Sequence, residues 1–386
     1  MTSELAPLAA MAERNGFALL GVAPVEGQGH GWYAPHAERL QAWLAAGQHA
    51  DMDWLVERLA DRVVPERLLP GVQSAIVLWL DHRTATPPRP AGPTGRVAAY
   101  AWGRDYHNIA RKGLRKLRGW LNQTWPGIRV YLSVDTGAVL ERAFGERAGV
   151  GWIGRSTMLI STRRGTFGSL AVMFTDRAFA AAEVAHPPRC GTCTACVDLC
   201  PTGALGPLGL DARRCISYWT IEHRGVIPAE VRPWLGEWVF GCDICQDVCP
   251  WNRDAPRASS DRWQPKADRA WPDLVDWIVT PSEVLDARLE GSPLRRARGD
   301  GLRRNALIVV GNLRMQAAAR AVALAMADPD PVLRATAVWA ARCLSIPGVA
   351  GWAARDPDPR VRAEIHTPLP PTPASGTTGG SPEEAR

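Results

Sequence analysis

The sequence predicts an α+β chain, and three observations carry that reading. Helical and strand periodicities alternate through about residue 180; eight of the nine cysteines fall between Cys190 and Cys249; and an Asp-Pro-Asp-Pro motif recurs 28 residues apart in helical surroundings near the end. The 386 residues suffice for two or three domains at the usual size of roughly 100 to 200 residues each. Apolar residues make up 46% and charged residues 22%, a globular balance that excludes wholesale disorder.

Leu5 to Arg14 has the spacing of a short amphipathic helix, and Phe17 to Val22 that of a strand entered through Asn15-Gly16. Helical periodicity returns over His36 to Ala46 and Tyr106 to Leu121. In the latter Ile109, Leu114 and Leu117 share a face, while Arg111, Lys112, Arg115, Lys116 and Arg118 populate the other. Ser74 to Leu80 is a continuous apolar run of strand length. Arg129 to Val134 alternates as a strand, and Thr136 to Ala148 reads as the helix after it. Thr157 to Ser161 and Gly168 to Phe174 suit a β-hairpin about Arg163-Arg164-Gly165. Helices on the faces of a sheet follow from this alternation.

The cysteines carry the chemistry. Cys190-x2-Cys193-x2-Cys196-x3-Cys200-Pro201 has the spacing of a bacterial ferredoxin run, in which three thiolates wrap one cubane and the fourth serves another. A truncated copy follows at Cys242-x2-Cys245-x3-Cys249-Pro250, and Cys215 between the copies supplies the missing thiolate. The exchange of the fourth cysteine assigns Cys190, Cys193, Cys196 and Cys249 to one [4Fe–4S] cluster. Cys200, Cys215, Cys242 and Cys245 then hold the second. Zinc is the competing reading, since it also takes four cysteines from paired C-x2-C motifs, but zinc ribbons do not require the triple spacing closed by Cys-Pro. Cys343, among Ala and Leu, reads as a small buried hydrophobe.

In the last part of the chain Asp328 to Ala335, DPDPVLRA, recurs as DPDPRVRA at Asp356 to Ala363. Each copy caps and opens a helix, because proline suits the first turn and aspartate the positive end of the dipole. Stacked helices of this kind are HEAT-like. From Thr367 the chain is too poor in apolar residues to fold, and a disordered tail is expected.

Of 45 basic residues only Lys112, Lys116 and Lys266 are lysine, and the formal net charge is +6. That excess permits phosphate binding; arginine richness beside abundant Ala, Pro and Gly is equally the mark of a GC-rich genome. The N-terminal residues show no basic stretch leading into an apolar core and no twin arginine, so a cytoplasmic protein is expected. No stretch is apolar for the roughly 18 residues a membrane span needs.

The segments around the cysteines resemble the epoxyqueuosine reductase family, the iron–sulfur and cobalamin enzymes that complete queuosine in tRNA. The resemblance runs through Arg104-Asp105-Tyr106-His107, Asp135-Thr136-Gly137-Ala138-Val139-Leu140-Glu141-Arg142 and Gly151-Trp152-Ile153-Gly154. It continues at Leu210 to Tyr218, Thr220-Ile221-Glu222-His223-Arg224-Gly225, Gly241-Cys242-Asp243, Cys249-Pro250-Trp251-Asn252 and Gly291 to Ala297, covering about residues 5 to 365. One departure is Arg155-Ser156-Thr157, where the family usually has Lys-His-Thr or Lys-Asn-Thr. The charge is kept, but the ring or amide is lost, so Ser156 is not expected to serve the pocket.

The resemblance implies an N-terminal domain related to flavin reductases and a base-off corrinoid with no protein histidine on cobalt. The chain agrees in lacking Asp-x-His-x-x-Gly. It implies cobalamin contacts at Arg58, Leu159, Leu170, Ser217, Cys242 and Asp243, with Asp135 as the acid that protonates the departing epoxide oxygen. For that role burial beside the corrin is expected to raise the pKa of Asp135 from about 4; capping of the next helix is the structural alternative. Tyr106 and His107 are candidates to line the pocket. His223 and Arg224 are the expected anticodon contacts, with a solvated loop as the alternative; the Tyr106 to Leu121 basic face with Arg295, Arg296, Arg298, Arg303 and Arg304 gives the expected stem contacts, with solvated helix faces as the alternative.

The domains expected are 1–180, cobalamin-binding α/β; 181–255, ferredoxin-like two-cluster module; 256–285, connector; 286–366, HEAT-like repeats; and 367–386, tail. The function expected is reduction of epoxyqueuosine to queuosine at the tRNA wobble position by a monomer fed by an unidentified low-potential electron donor. A cytoplasmic corrinoid reductive dehalogenase and a ferredoxin-like carrier docking through helical repeats are the alternatives.

Overall fold

In the computed structural model, which describes residues 3–25, 31–182, 185–258, 261 and 263–371, the apolar run at Ser74 is the centre of a sheet. Strands β1 (Leu19–Pro24), β2 (Ser74–Asp81), β3 (Val130–Ser133) and β4 (Gly168–Thr175) form an antiparallel sheet in the order β1-β2-β4-β3. β2 is apolar from Ala75 to Leu80, and both its faces are covered. Ile76, Leu78 and Leu80 face a core with α1 (Ala6–Arg14), while Ala75, Val77 and Trp79 face the opposite core.

Each core has its own helix. α2 (Tyr106–Thr124) packs Leu114, Leu117 and Leu121 into the first, all fully buried, and its charged face turns to solvent as the periodicity predicts. Burial of each such leucine contributes roughly 1.5–3 kcal/mol. α3 (Glu141–Arg147) sets Ala143 and Phe144 against β2 and β4 on the other face. This helix starts later than the expected Thr136, because residues 136–140 are spent on a loop at the end of β3. The expected hairpin about Arg163-Arg164-Gly165 does not form. β4 pairs along its length with β2, and Leu159–Ile160 pairs instead with Trp152–Ile153, leaving one bridge between Ser161 and Gly165.

The described residues divide into two compact units that are discontinuous in sequence: 1–85, 104–213 and 244–263 in the first, and 86–103, 214–243 and 264–386 in the second. In the second, Trp238–Phe240 pairs in parallel with Arg96–Val97. α4 (Ile216–Ile221) precedes α5 (Leu274–Val279) and α6 (Ser282–Arg288), and the latter two fall largely within the C-terminal part of the stretch expected as a connector. α7 (Arg298–Asn312) is buried along nearly its whole length against α8 (Pro331–Cys343).

The repeat is visible atom by atom. Asp330 accepts the Val332 N–H at 2.8 Å to cap α8, and Asp358 accepts the Arg360 N–H at 2.8 Å to cap α9 (Pro359–Ala363). Arg334 Nη1 donates to the carbonyls of Asp328 and Pro329, and Arg362 Nη1 repeats the pattern on Asp356 and Pro357. Arg334 also pairs with Asp356 at 2.8 Å, tying one copy to the next. Cys343 is buried in α8 as expected, its thiol pushed up to about 11 by burial. Of the expected tail, residues 372–386 lie outside the described residues. No helix among the described residues is long and apolar enough to cross a membrane.

Candidate active site and cluster ligands

Asp135 lies two residues past the end of β3, and its backbone is left-handed, with φ of 52°. The turn is possible because residue 137 is glycine: a Cβ there would lie 2.1 Å from Ser133 Oγ. Arg62 Nη1 holds the Gly137 carbonyl at 3.0 Å, and the Arg62 carbonyl accepts the Tyr33 hydroxyl at 2.6 Å. A non-glycine residue at positive φ is uncommon and costs of order 1–3 kcal/mol, so such residues persist where surroundings fix them. Asp135 does not cap the following helix, which begins six residues later at Glu141.

The start of α2 meets this turn. Asp105 is its N-cap, accepting the His107 N–H at 2.9 Å, and the same Oδ1 lies 2.7 Å from His107 Nδ1. The other ring nitrogen, Nε2, is 3.1 Å from Asp135 Oδ2, which also accepts the Tyr106 hydroxyl at 2.9 Å. The Tyr106 and His107 rings stack with centroids 4.0 Å apart. Burial alone would lower the His107 pKa, but hydrogen bonds and charges from Asp105 and Asp135 outweigh it and raise the imidazole to about 9. Burial opposes a shift at Asp105 too, and His107 prevails, holding the carboxylate down. The Asp135 side chain is 61% exposed, contrary to the burial expected; its setting comes from Tyr106 and His107.

Two further charged groups adjoin it. Ser133 Oγ donates to Glu141 Oε1 at 3.3 Å, and burial, then the charge of Asp135, push Glu141 up to about 8. Arg62 is buried. Sequence reasoning gave no role to Arg62 or Glu141, and none to Asp105 beyond its place in the motif. The Asp105-x-His107 spacing was the signal for the first contact of the chain; nothing local announced the rest.

Among the cysteines, the helical turns Ala195–Asp198 and Ile244–Asp247 pack together and carry Cys196 and Cys245. Cys193 N–H bonds the Cys190 carbonyl at 3.0 Å. The Cys249 thiol is pushed up first by burial and, against the Trp251 N–H, by Cys190, Cys196 and Cys193. Trp152, fully buried, donates Nε1–H to Cys190 Sγ at 3.4 Å. Cys200 behaves oppositely. Burial would raise its thiol, but the Thr202 hydroxyl and the Ala204, Thr202 and Gly203 N–H groups hold it down. None of the nine cysteines is joined in a disulfide, and an all-thiolate donor set fits iron–sulfur ligation.

The remaining site residues are dispersed. In the first unit Leu159 is buried beside Gly145, Leu170 is half-buried on β4, and exposed Arg58 sits 3.4 Å from Asp61. Ser156 is buried. In the second, Ser217 lies in the first turn of α4, Cys242 is half-buried, and buried Asp243 accepts the Ala99 N–H at 2.6 Å.

The basic residues need correction. Arg303 is buried against Asp328 at 2.5 Å and the Ile278 carbonyl, and Arg304 is buried among the carbonyls of Trp219, His223 and Gly225. Neither is a phosphate contact; their charge is absorbed by carbonyls and one carboxylate. Arg224 donates to the carbonyls of Arg296 and Ala297, and Arg296 pairs with Glu222. Arg111, Lys112, Arg115, Lys116 and Arg118 are exposed as expected.

Comparison with known proteins shows the family. The family described as "4Fe-4S double cluster binding domain" matches residues 189–252, so the chain is an iron–sulfur protein with a domain for two [4Fe–4S] clusters. "Epoxyqueuosine reductase QueG, DUF1730" matches residues 62–136. Epoxyqueuosine reductase of Pseudomonas aeruginosa is 39% identical over 309 residues, 77% of this chain and 82% of that protein. The Escherichia coli protein of the same name is 36% identical over 283 residues, 71% of this chain and 73% of its own. The chain belongs to the epoxyqueuosine reductase family.

Solved structures agree. A crystal structure of epoxyqueuosine reductase with an epoxyqueuosine-modified tRNA-Tyr stem loop matches with a TM-score of 0.85 and 28% identity, over 94% of this chain and 96% of that one. The Bacillus subtilis enzyme with its catalytic aspartate loop swung out of the active site matches with a TM-score of 0.84 and 28% identity, at the same coverage.

Proposed function

We propose that the chain reduces epoxyqueuosine to queuosine at the wobble position of tRNA, with Asp135 as the proton donor. The observation that carries the Asp135 assignment is its placement: a carboxyl fixed at positive φ, hydrogen-bonded by Tyr106 and His107 yet 61% exposed to an incoming ring. Removing the epoxide oxygen breaks both its C–O bonds, forms C=C, and consumes two electrons and two protons as water departs. A positioned carboxylic acid contributes about 10²–10⁴-fold in such proton transfers. The nucleotide has to leave the stack to reach it.

The proposed ligands are Cys190, Cys193, Cys196 and Cys249 for one cluster and Cys200, Cys215, Cys242 and Cys245 for the other, by the exchange of the fourth cysteine. Cobalamin, base-off as the resemblance implies, would be held through Arg58, Leu159, Leu170, Ser217, Cys242 and Asp243 and would supply low-potential electrons for the reduction. His107 fits a centre without a protein imidazole, because both its ring nitrogens are engaged by carboxylates. His223 and Arg224 serve the anticodon side, Arg224 partly through the Arg296 and Ala297 carbonyls it orders. The relation of the first unit to flavin reductases, the HEAT-like character of the repeats, a cytoplasmic monomer and a separate low-potential donor complete the reading.

Cobalt and iron content of the anaerobically purified chain, followed by incubation with an epoxyqueuosine stem loop and a low-potential reductant, tests it. Stoichiometric cobalt and appearance of queuosine are expected. Two loaded clusters without cobalt would point to an electron carrier; full loading without queuosine would overturn the substrate.

A further inference from the structure

The reaction consumes two protons, and Asp135 carries one at a time. Its Oδ2 is in contact with a second proton-bearing group, His107 Nε2, at 3.1 Å, while His107 Nδ1 is anchored 2.7 Å from Asp105 Oδ1. The three side chains form a carboxylate–imidazole–carboxylate line that starts at the N-cap of α2 and ends at the turn after β3. Resting on the assignment of Asp135 as proton donor, we propose that His107 reloads Asp135 and so supplies the second proton of the reduction.

The protons and electrons balance. Asp135 gives its proton to the epoxide oxygen as the first C–O bond breaks. The imidazolium passes its Nε2 proton to the Asp135 carboxylate at Oδ2, and Asp135 releases a second proton to the oxygen leaving as water. Two electrons from the reductant complete C=C formation. His107 is left as the neutral Nδ1–H tautomer that Asp105 already accepts, so no ring has to turn. Asp105 is therefore a positioning residue, fixing tautomer and orientation as the partner carboxylate of a histidine does.

The groups facing this line account for the charge state it needs. Asp105 and Asp135 flank the imidazole, with Tyr106 stacked on it. Arg111, one turn along α2, acts on Asp105 and donates to Thr136 Oγ1 at 3.1 Å. Arg62, Glu141 and Arg142 act on the Asp135 side. Once Asp135 has given up its proton, its carboxylate and that of Asp105 hold the imidazole raised to about 9, so His107 is charged at neutral pH and loses its proton as pH rises through that value.

The test is the pH profile of kcat for the cofactor-loaded chain. Wild type is expected to lose activity as pH rises through about 9. Asp105→Asn keeps the N-cap, since Asn caps as well as Asp, but removes the charge that sustains the imidazolium, so the alkaline limb moves to lower pH. His107→Gln is expected to lower kcat roughly tenfold or more with KM little changed and the limb gone. Imidazole in the buffer should restore part of kcat to His107→Ala. An alkaline limb that stays in place in both Asp105→Asn and His107→Gln would overturn the proposal. Asp135→Asn separates the two readings: an active Asp135→Asn removes the proton donor itself, whereas an inactive one beside an unmoved limb removes only the reloading by His107.

Discussion

Arg304 offers a measurable link between the helical unit and the loop carrying His223 and Arg224. Its guanidinium is 1% exposed; Nη1 donates to the His223 and Gly225 carbonyls at 2.8 and 2.9 Å, and Nη2 to the Trp219 carbonyl at 2.9 Å. Burial lowers its pKa to about 10, still far above neutrality, so it is a buried cation whose partners are backbone carbonyls and the Asn305 side-chain oxygen. Arg304→Met keeps much of the volume but leaves three backbone carbonyls and Asn305 Oδ1 without this donor. At about 1–3 kcal/mol for each buried group left unsatisfied, offset by the desolvation no longer incurred by a buried charge, the net loss is about 2–4 kcal/mol. Hydrogen–deuterium exchange on the full, cofactor-loaded chain should show faster exchange confined to residues 219–226 and the facing part of α7. Affinity for an epoxyqueuosine stem loop should fall while the two clusters remain loaded. Unchanged exchange in 219–226 would refute the reasoning that Arg304 holds the loop.

Two other substitutions probe the cluster set and the sheet. Cys249→Ala should lower iron from about eight to about four atoms per chain, as measured by iron and sulfide analysis; retention of all the iron would break the exchange assignment. Gly168→Ala would put a Cβ 2.0 Å from the ring of Trp79, which is fully buried and fixed by its Nε1–H to Asp81 at 2.6 Å. Overpacking of this kind costs about 1–3 kcal/mol, so a lower thermal midpoint is expected, and an unchanged one would mean that Trp79 moves freely.

What was legible in the sequence follows from how local each signal is. The eight cysteines could be sorted into two proposed ligand sets because spacing between thiolates is itself the geometric constraint. The exposed basic face of α2 and the Asp330 and Asp358 caps were equally local. The false hairpin about Arg163-Arg164-Gly165 had acceptable turn residues, but long-range pairing of β4 with β2 over eight residues prevailed. Arg303 and Arg304 looked like phosphate contacts because sequence shows charge and not the carbonyls that surround it. The contact of His107 with Asp135 spans 28 residues and arises only when the end of β3 meets the start of α2. Asp135 was identified by its motif, while its exposure depends on a turn that no periodicity describes.

The most direct test of the account is a single-turnover comparison of wild type and Asp135→Asn, both loaded with iron, sulfide and cobalamin to the same content. Each is mixed anaerobically with excess low-potential reductant and epoxyqueuosine stem loop, and queuosine is quantified with time. Wild type should convert the substrate, and Asp135→Asn should bind it with similar affinity yet convert it about 10²–10⁴-fold more slowly. Equal rates from the two proteins would contradict the assignment of Asp135 as the proton donor.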